Sequence, residues 1–257
     1  MMGFVRPLIG ATAACIALSG MPAIQTATAE TLVGSNIDNR ILVAFRVPQD
    51  PVQGFLPDGW QGIAFPKGAV KGANFLLALN DKLLVLDADG KPATPPKARE
   101  AALMTLAKNG DTVRLFVLRV YVSDPAYDPF LNAVRADVRR VSQAQGAANA
   151  GRDRSETWTI VPETGGELTV SMDFTTGAGA WVSETARPYS NKDPDLSRIF
   201  TYDRIVDLVM SEPLGKPLSG NLTVTSDIPE LDGILDGSEE LVTILNIPVY
   251  VREVLVP

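Results

Sequence analysis

The sequence predicts an α+β protein that is mainly antiparallel β, with two or three short helices. Three observations lead to this class. Val113–Val122 is dominated by β-branched and aromatic residues, which favour strands. Leu168–Phe174 alternates apolar and polar residues, as a half-buried strand does. Turn residues separate about ten to twelve segments of this kind, the spacing typical of all-β architectures.

The first half of the chain contains a long strand, a short helix and two or three further strands. Asp50 and Pro51 suit the N-cap and first position of the helix. The apolar segment 72–87 is interrupted by polar residues and predicts either one bent strand or a tight pair. Asp87–Gly90 predicts a hairpin turn rather than a calcium loop. The strands of this half are predicted at 37–47, 72–87, 101–107 and 113–122.

The second half of the chain is also mostly strands. Gln143–Arg154 is small and polar and is predicted to be a mobile loop. Arg198–Met210 is either a strand with a short helix or one bent strand. Ile228–Leu235 is predicted as the second short helix, and Leu241–Val256 as one or two closing strands. The other strands are predicted at 131–141, 156–161, 167–174, 177–187 and 218–225.

Residues 1–29 have the pattern of a secretory signal. Arg6 is the single basic residue, a weakly apolar run follows, and Ala27-Thr28-Ala29 fits a signal-peptidase cleavage site. The run is too short and too weakly apolar for a good membrane span. We therefore expect a periplasmic or secreted protein without a membrane span, whose residues 30–257 form a single domain.

The composition of residues 30–257 excludes several kinds of chemistry. The sequence has no His, and its one cysteine, Cys15, lies in the predicted signal. Disulfides, Cys nucleophiles, His general bases, Ser-His-Asp triads and ordinary zinc sites are therefore excluded, and we expect no cofactor and no metal. Without Arg6 the chain has 22 basic and 30 acidic residues, a net charge of −8 that disfavours nucleic acid as a partner.

The segment from Val113 to Val141 carries the charge pattern that points most directly to a site. Arg119 lies on a mostly apolar strand face, so its guanidinium must be paired or must face a wet cavity. A structural pair with a carboxylate is the favoured interpretation, and an anion-binding arginine is the alternative. In the following strand Arg135, Asp137 and Arg139 share one face, which is predicted to be solvated.

Two short motifs resemble the acetoacetate decarboxylase-like superfamily. Asn39-Arg40 opens an apolar β segment, and Leu56-Pro57-Asp58-Gly59 follows the short helix. The resemblance covers most of residues 37–256 and implies a strongly curved antiparallel sheet or barrel around a central cavity. It also implies that Arg40 binds the carboxylate of a substrate.

The decarboxylases of that family use a Schiff-base lysine activated by an adjacent lysine. This sequence has no adjacent lysine pair, and Val122–Val141 contains no lysine. Lys82 and Lys108 are the nearest substitutes along the chain. Decarboxylase activity is therefore not implied by the residues present.

The resemblance and the residues together predict a site for a small carboxylate or keto acid. Arg40 or Arg46, together with Arg119, would hold the carboxylate, because a guanidinium fork suits it. Tyr121 would donate a hydrogen bond, and Glu100 or Asp81 would orient the arginines. The alternatives are a lyase or hydratase that acts on a keto acid, with or without a relocated Schiff-base lysine, and a non-catalytic partner of an exported complex. A homo-oligomer is a further expectation.

Overall fold

The computed structural model describes residues 30–125, 128–147 and 151–257, so the predicted secretory signal at 1–29 lies outside the described residues. The first half contains one α-helix, α1 (Gln49–Gln53), and strands β1 (Thr31–Arg46), β2 (Gln61–Ile63), β3 (Phe75–Asp87), β4 (Ala98–Asn109) and β5 (Thr112–Val122). The second half contains β6 (Ala133–Gln145), β7 (Asp153–Pro162), β8 (Leu168–Thr175), β9 (Ala180–Ala186), β10 (Pro188–Ser190), β11 (Ile199–Ser211), β12 (Gly220–Ser226) and β13 (Glu240–Val256). A 3₁₀ turn at Pro229–Leu231 precedes β13.

The strands form one large sheet in the order β12-β8-β7-β6-β5-β4-β3-β1-β13-β11-β9, with β10 beside β5 and β2 beside β4. Most neighbours are antiparallel, which confirms the predicted class. Across the described residues the sheet is open, with β12 and β9 at its two ends, so a closed barrel is not formed. Helix is scarcer in the described residues than expected, because the second predicted helix, Ile228–Leu235, is a 3₁₀ turn at Pro229–Leu231.

Two of the parallel contacts lie at β5. Its end pairs with β6 in parallel over three residues, Val120 to Val122 against Ala133 to Arg135, and β10 also runs parallel to it. The chain between β5 and β6 is too long for a two-residue hairpin turn, so the strands need not run antiparallel. Just before β6, Leu131 has a φ of 58°, an uncommon conformation for a side chain that is branched and bulky.

Each of the three segments for which the sequence left two alternatives contains one continuous strand. β3 passes through Asn80-Asp81-Lys82 without a break, and β13 continues through Pro248. β11 is also one strand, bent by register shifts near Val206 and Val209. The residue at the N-cap of α1 is Pro48 and not Asp50, and the turn at Asp87–Gly90 is present, with Gly90 at a φ of 74°.

The main core lies on the sheet face where α1, the 3₁₀ turn and the β6–β8 strands pack. It contains the largest fully buried side chains, among them Trp158, Tyr121, Phe45 and Phe75. Val134 belongs to this packing and Ala136 and Val138 are buried, as the alternation predicts. Burial of this apolar surface is the main stabilising contribution.

Buried ion pairs join the two halves of the sheet beside this core. Arg140 of β6 donates to Asp81 of β3 at 3.0 Å and to Glu156 of β7 at 2.9 Å. Glu156 is completely buried, and Arg154 and Ser142 also donate to it. The charge of each arginine therefore has a carboxylate partner at this junction.

The predicted mobile loop is shorter than expected. Residues 143–145 continue β6, and 153–154 begin β7, so these pair as a hairpin. The middle of the predicted loop, 148–150, lies outside the described residues. Within the described residues no helix has the length and apolar character needed to cross a membrane.

Candidate functional site

A pocket of about 220 Å³ lies on the sheet face opposite the main core. Its walls come from β1, β3, β4, β5, β11 and β13, and from the segment 128–130. The register of the sheet brings its residues together in rows across the strands. Arg40 lies opposite Asn80, and Asn80 opposite Glu100, so one row of the pocket is polar.

Glu100 is the acid of this polar row. It accepts hydrogen bonds from Asn80 Nδ2 at 3.0 Å and from Lys82 Nζ at 2.7 Å. Burial would raise the pKa of Glu100, but the charge and hydrogen bond of Lys82, and the charges of Arg252 and Arg40, lower it to about 2. Glu100 is therefore ionised, and it stabilises the neighbouring ammonium group.

Arg40 is held in place by its own strand and by a tyrosine. Its Nε donates to Asp38 at 2.9 Å, and Asp38 is completely buried. Its guanidinium lies 3.5 Å from the ring centroid of Tyr250, which stacks on Tyr202 at 4.9 Å. Burial opposes the charge on Arg40, but Asp38 and Tyr250 together keep the pKa of Arg40 above its ordinary value.

Arg252 carries the charge in the pocket that has no acidic partner. Its Nε donates to Asn36 Oδ1 at 2.8 Å, and its guanidinium lies 4.2 Å from the ring of Phe200. No ion pair to a described carboxylate is formed, and Nη1 and Nη2 donate to no described residue. Burial and the charge of Arg40 lower the pKa of Arg252. A guanidinium that is 8% exposed, lines a pocket and has free donors is suited to an anion.

One arginine of the pocket has no ion-pair partner. Arg40 pairs with Asp38, Lys82 with Glu100 and Arg204 with Glu184, whereas Arg252 forms no ion pair with a described carboxylate. Asp128 also lines the pocket and accepts hydrogen bonds from the backbone N–H groups of Phe130 and Ala133. Tyr250 lines the same end, and its hydroxyl has no hydrogen-bond partner among the described residues. The arrangement can hold one negative group and donate a hydrogen bond beside it.

The other end of the pocket is apolar. The next row of the pocket face lies two residues further along each strand. It consists of Leu42, Ala78, Ala102 and Val120. Beyond it the wall continues with Leu76, Met104 and Val117. The rings of Phe130 and Phe200 meet edge to face at 6.2 Å, and Phe200 also contacts the guanidinium of Arg252. The pocket therefore has a cationic end and an apolar end.

The structure brings two of the predicted site residues, Arg40 and Glu100, into this pocket. Asp81 points to the opposite face of β3, where it accepts from Arg99 and Arg140. Arg46 lies on the surface beside Glu212 and Glu240. Arg46 and Asp81 therefore do not meet Arg40 in one site.

Arg119 and Tyr121 also lie away from the pocket, and a β-bulge explains why. The pairing of β4 with β5 skips Leu118, so Val117 and Val120 both face the pocket while Arg119 and Tyr121 turn away from it. A strict alternation, as expected from the sequence, does not hold across this point. The predicted clamp of Arg119 with Arg40 or Arg46 is therefore not formed.

Both displaced side chains bind one acid on the 3₁₀ turn. Arg119 Nε donates to Glu230 at 2.9 Å, and the Tyr121 hydroxyl donates to the same carboxylate at 2.6 Å. Burial and this hydrogen bond raise the pKa of Tyr121. The arginine thus has the structural carboxylate pair that was the favoured interpretation.

Sequence reasoning did not identify Arg252, Tyr250, Asp38 or Asn36 as site residues. One signal was available, because Asn36, Asp38 and Arg40 occupy every second position of the strand and so place three polar side chains on one face. Their contact with Arg252, more than two hundred residues away along the chain, depends on the pairing of β1 with β13. Among the described residues no group of three or more acidic residues could hold a metal ion.

The fold and the pocket define a β-sheet protein with a half-cationic, half-apolar binding pocket on one sheet face. Comparison with solved structures assigns the fold. The enduracididine biosynthesis enzyme MppR in complex with pyruvate is 13% identical, with 95% of this chain and 96% of that chain covered and a TM-score of 0.52. An acetoacetate decarboxylase-like enzyme from Sphingomonas wittichii RW1 is 12% identical, with 94% and 97% covered and a TM-score of 0.54. The chain therefore has an acetoacetate decarboxylase-like fold, which confirms the resemblance.

No protein-family model matches the sequence, and no curated protein matches it. The likeness to solved structures thus concerns the fold, and the chemistry of the pocket must be argued from its own residues.

Proposed function

We propose that this protein is exported and binds a small carboxylate or keto acid in the pocket. The observation that carries the proposal is the guanidinium of Arg252, which lines the pocket with free Nη donors. Arg252 and Arg40 bind the carboxylate, and Tyr250 donates to a neighbouring oxygen of the ligand. The bound pyruvate of MppR supports an acid as the ligand class in a fold of this kind.

The proposal concerns binding and not Schiff-base decarboxylation. Lys82 lines the pocket, but its ammonium group lies 2.7 Å from the ionised carboxylate of Glu100. An amine held against this carboxylate is not the free nucleophile that Schiff-base chemistry requires. Lys82 and Glu100 therefore form the fixed floor of the binding site.

The test is a calorimetric titration of the protein with pyruvate and acetoacetate, with pyruvamide as the uncharged comparison. We expect binding of both acids and no binding of the amide, because the amide carries no negative charge to pair with Arg252. Arg252→Gln should weaken acid binding at least tenfold, since hydrogen bonds to charged groups contribute about 1.5–3 kcal/mol.

The matched control is Arg46→Gln, the same change at an arginine that is paired on the surface outside the pocket. It should leave acid affinity unchanged. Equal binding of acid and amide, or equal loss in both variants, would contradict the proposal. Thermal unfolding of both variants shows that any loss of binding is not a loss of fold.

A further inference from the structure

We infer that the ligand is an aliphatic monocarboxylic acid whose tail of about four or five carbons fills the apolar end of the pocket. The inference rests on the proposed function, because it places the carboxylate at Arg252 and Arg40. It adds the identity of the other half of the ligand, which the charged residues do not specify.

The register of the sheet gives the ligand a direction. Moving along β4, the pocket face presents Glu100, then Ala102, then Met104. Successive residues on one face are about 7 Å apart. The lining of β4 therefore changes from charged to apolar over about 7 Å. A bound molecule should have a charged end and an apolar end separated by the same distance.

Small side chains create the space for the tail. Ala78 and Ala102 lie directly opposite each other on β3 and β4, with Leu42 and Val120 on either side. Larger residues at these two positions would fill this part of the pocket. At about 30 Å³ for each water-sized group, the cavity holds about seven non-hydrogen atoms. A carboxylate and a tail of four or more carbons occupy that volume.

The apolar end disfavours a second polar group on the ligand. The rows around Ala78 and Ala102 present aliphatic side chains, namely Leu42, Leu76, Met104, Val117 and Val120. The remaining polar residues of the lining, Asp128, Tyr202 and Arg204, do not belong to these rows. A distal carboxylate or hydroxyl would lose its water without gaining a partner, which costs free energy. Dicarboxylates and hydroxylated acids of the same length should therefore bind more weakly than the simple acid.

The experiment is a calorimetric titration of the protein with acetate, butyrate, hexanoate, octanoate and decanoate, with adipate as the dicarboxylate of six carbons. Each buried methylene contributes about 0.8 kcal/mol, so affinity should rise about fourfold per methylene up to hexanoate. It should stop rising by decanoate, and adipate should bind at least tenfold more weakly than hexanoate.

The variant Ala102→Leu should remove the gain from tail length, so that hexanoate binds no more tightly than acetate does. Its matched control is Ala144→Leu, the same change at an exposed position of β6 away from the pocket. Thermal unfolding reports whether each variant is folded. If Ala102→Leu fails to fold, the length series on the unchanged protein decides the question alone.

The outcomes separate the two proposals. If acetate and pyruvate bind as tightly as hexanoate, or if adipate equals hexanoate, the inference about the tail is overturned and the proposed function stands. If none of the acids binds, the proposed function fails and this inference fails with it. A rise to a maximum between butyrate and octanoate, abolished by Ala102→Leu, supports both.

Discussion

The ammonium group of Lys82 lies 2.7 Å from Glu100 Oε2, and the two residues lie on neighbouring strands within the pocket. Burial alone would raise the pKa of Glu100, but this contact, together with the charges of Arg252 and Arg40, lowers it from its ordinary value of 4.5 to about 2. The same pair thus fixes the charge of the pocket floor and links the stability of the protein to pH.

Acid should destabilise the protein through Glu100. Because the folded-state pKa is lower than the unfolded value, the stabilisation is fully present above about pH 4.5 and is lost as the pH falls toward 2. The difference corresponds to about 3 kcal/mol. Urea unfolding from pH 6 to pH 2 should show Glu100→Gln less stable than the unchanged protein at pH 6, with the gap closing near pH 2.

The comparison variant for that series is Asp137→Asn, which removes an exposed ion pair with Arg139. It should cost less than about 1 kcal/mol at every pH. A gap between the unchanged protein and Glu100→Gln that stays constant with pH would contradict the role assigned to Glu100.

Glu156→Gln should be the most damaging change outside the pocket. Glu156 is completely buried and accepts from Arg140 and Arg154, and the hydrogen bonds and charges of these arginines lower its pKa despite burial. Without its charge, Arg154 loses its carboxylate partner and Arg140 keeps only Asp81, which should cost about 3–5 kcal/mol. Urea unfolding at pH 7 measures this loss.

Glu184→Gln provides the reference, because Glu184 pairs with Arg204 while half exposed to solvent. Its cost should stay below about 1 kcal/mol. Similar losses in the two variants would show that burial does not distinguish these pairs.

Arg119→Gln should weaken the fold and leave ligand binding intact. Arg119 binds Glu230 outside the pocket, so its loss removes charge-assisted hydrogen bonds that contribute about 1.5–3 kcal/mol. Denaturant unfolding and calorimetric titration with the carboxylic acid ligands, on the same preparation, test this prediction. A variant that keeps normal stability but no longer binds the acids would contradict it and would indicate that Arg119 takes part in binding.

Leu131→Gly should stabilise the protein by roughly 1 kcal/mol. Leu131 has a φ of 58° and is 60% exposed, so glycine relieves a conformation that costs other residues about 1–2 kcal/mol and forfeits little packing. Leu214→Gly is the control, because Leu214 is similarly exposed but is not among the described residues with positive φ. The midpoint temperature of thermal unfolding should rise in Leu131→Gly and fall in Leu214→Gly.

Alternation along single strands predicted the faces of the sheet well where the strands are regular. Val134, Ala136 and Val138 face inward in β6, and Arg135, Asp137 and Arg139 face outward, as the sequence indicates. The prediction failed in β5, because one extra residue at Leu118 reverses the alternation. A β-bulge has no reliable sequence signal, so the placement of Arg119 could not be read from the strand itself.

The pocket depends on pairings between distant segments. Arg40 and Glu100 were expected at a binding site, and both line the pocket. Arg252 was missed because its position beside Asn36 follows from the pairing of the first and last strands. The composition was enough to exclude whole classes of chemistry. The positions of the charged groups relative to one another could be known only from the register of six paired strands.

The parallel contact between β5 and β6 spans three residue pairs, whereas most antiparallel contacts in the sheet are much longer. The two parts of the sheet therefore meet there over a short contact, and the ion pairs of Arg140 with Asp81 and Glu156 add a second connection between them. The segment between β5 and β6, including Phe130, also forms one wall of the pocket. A substitution at Phe130 therefore changes a residue that belongs both to this junction and to the pocket.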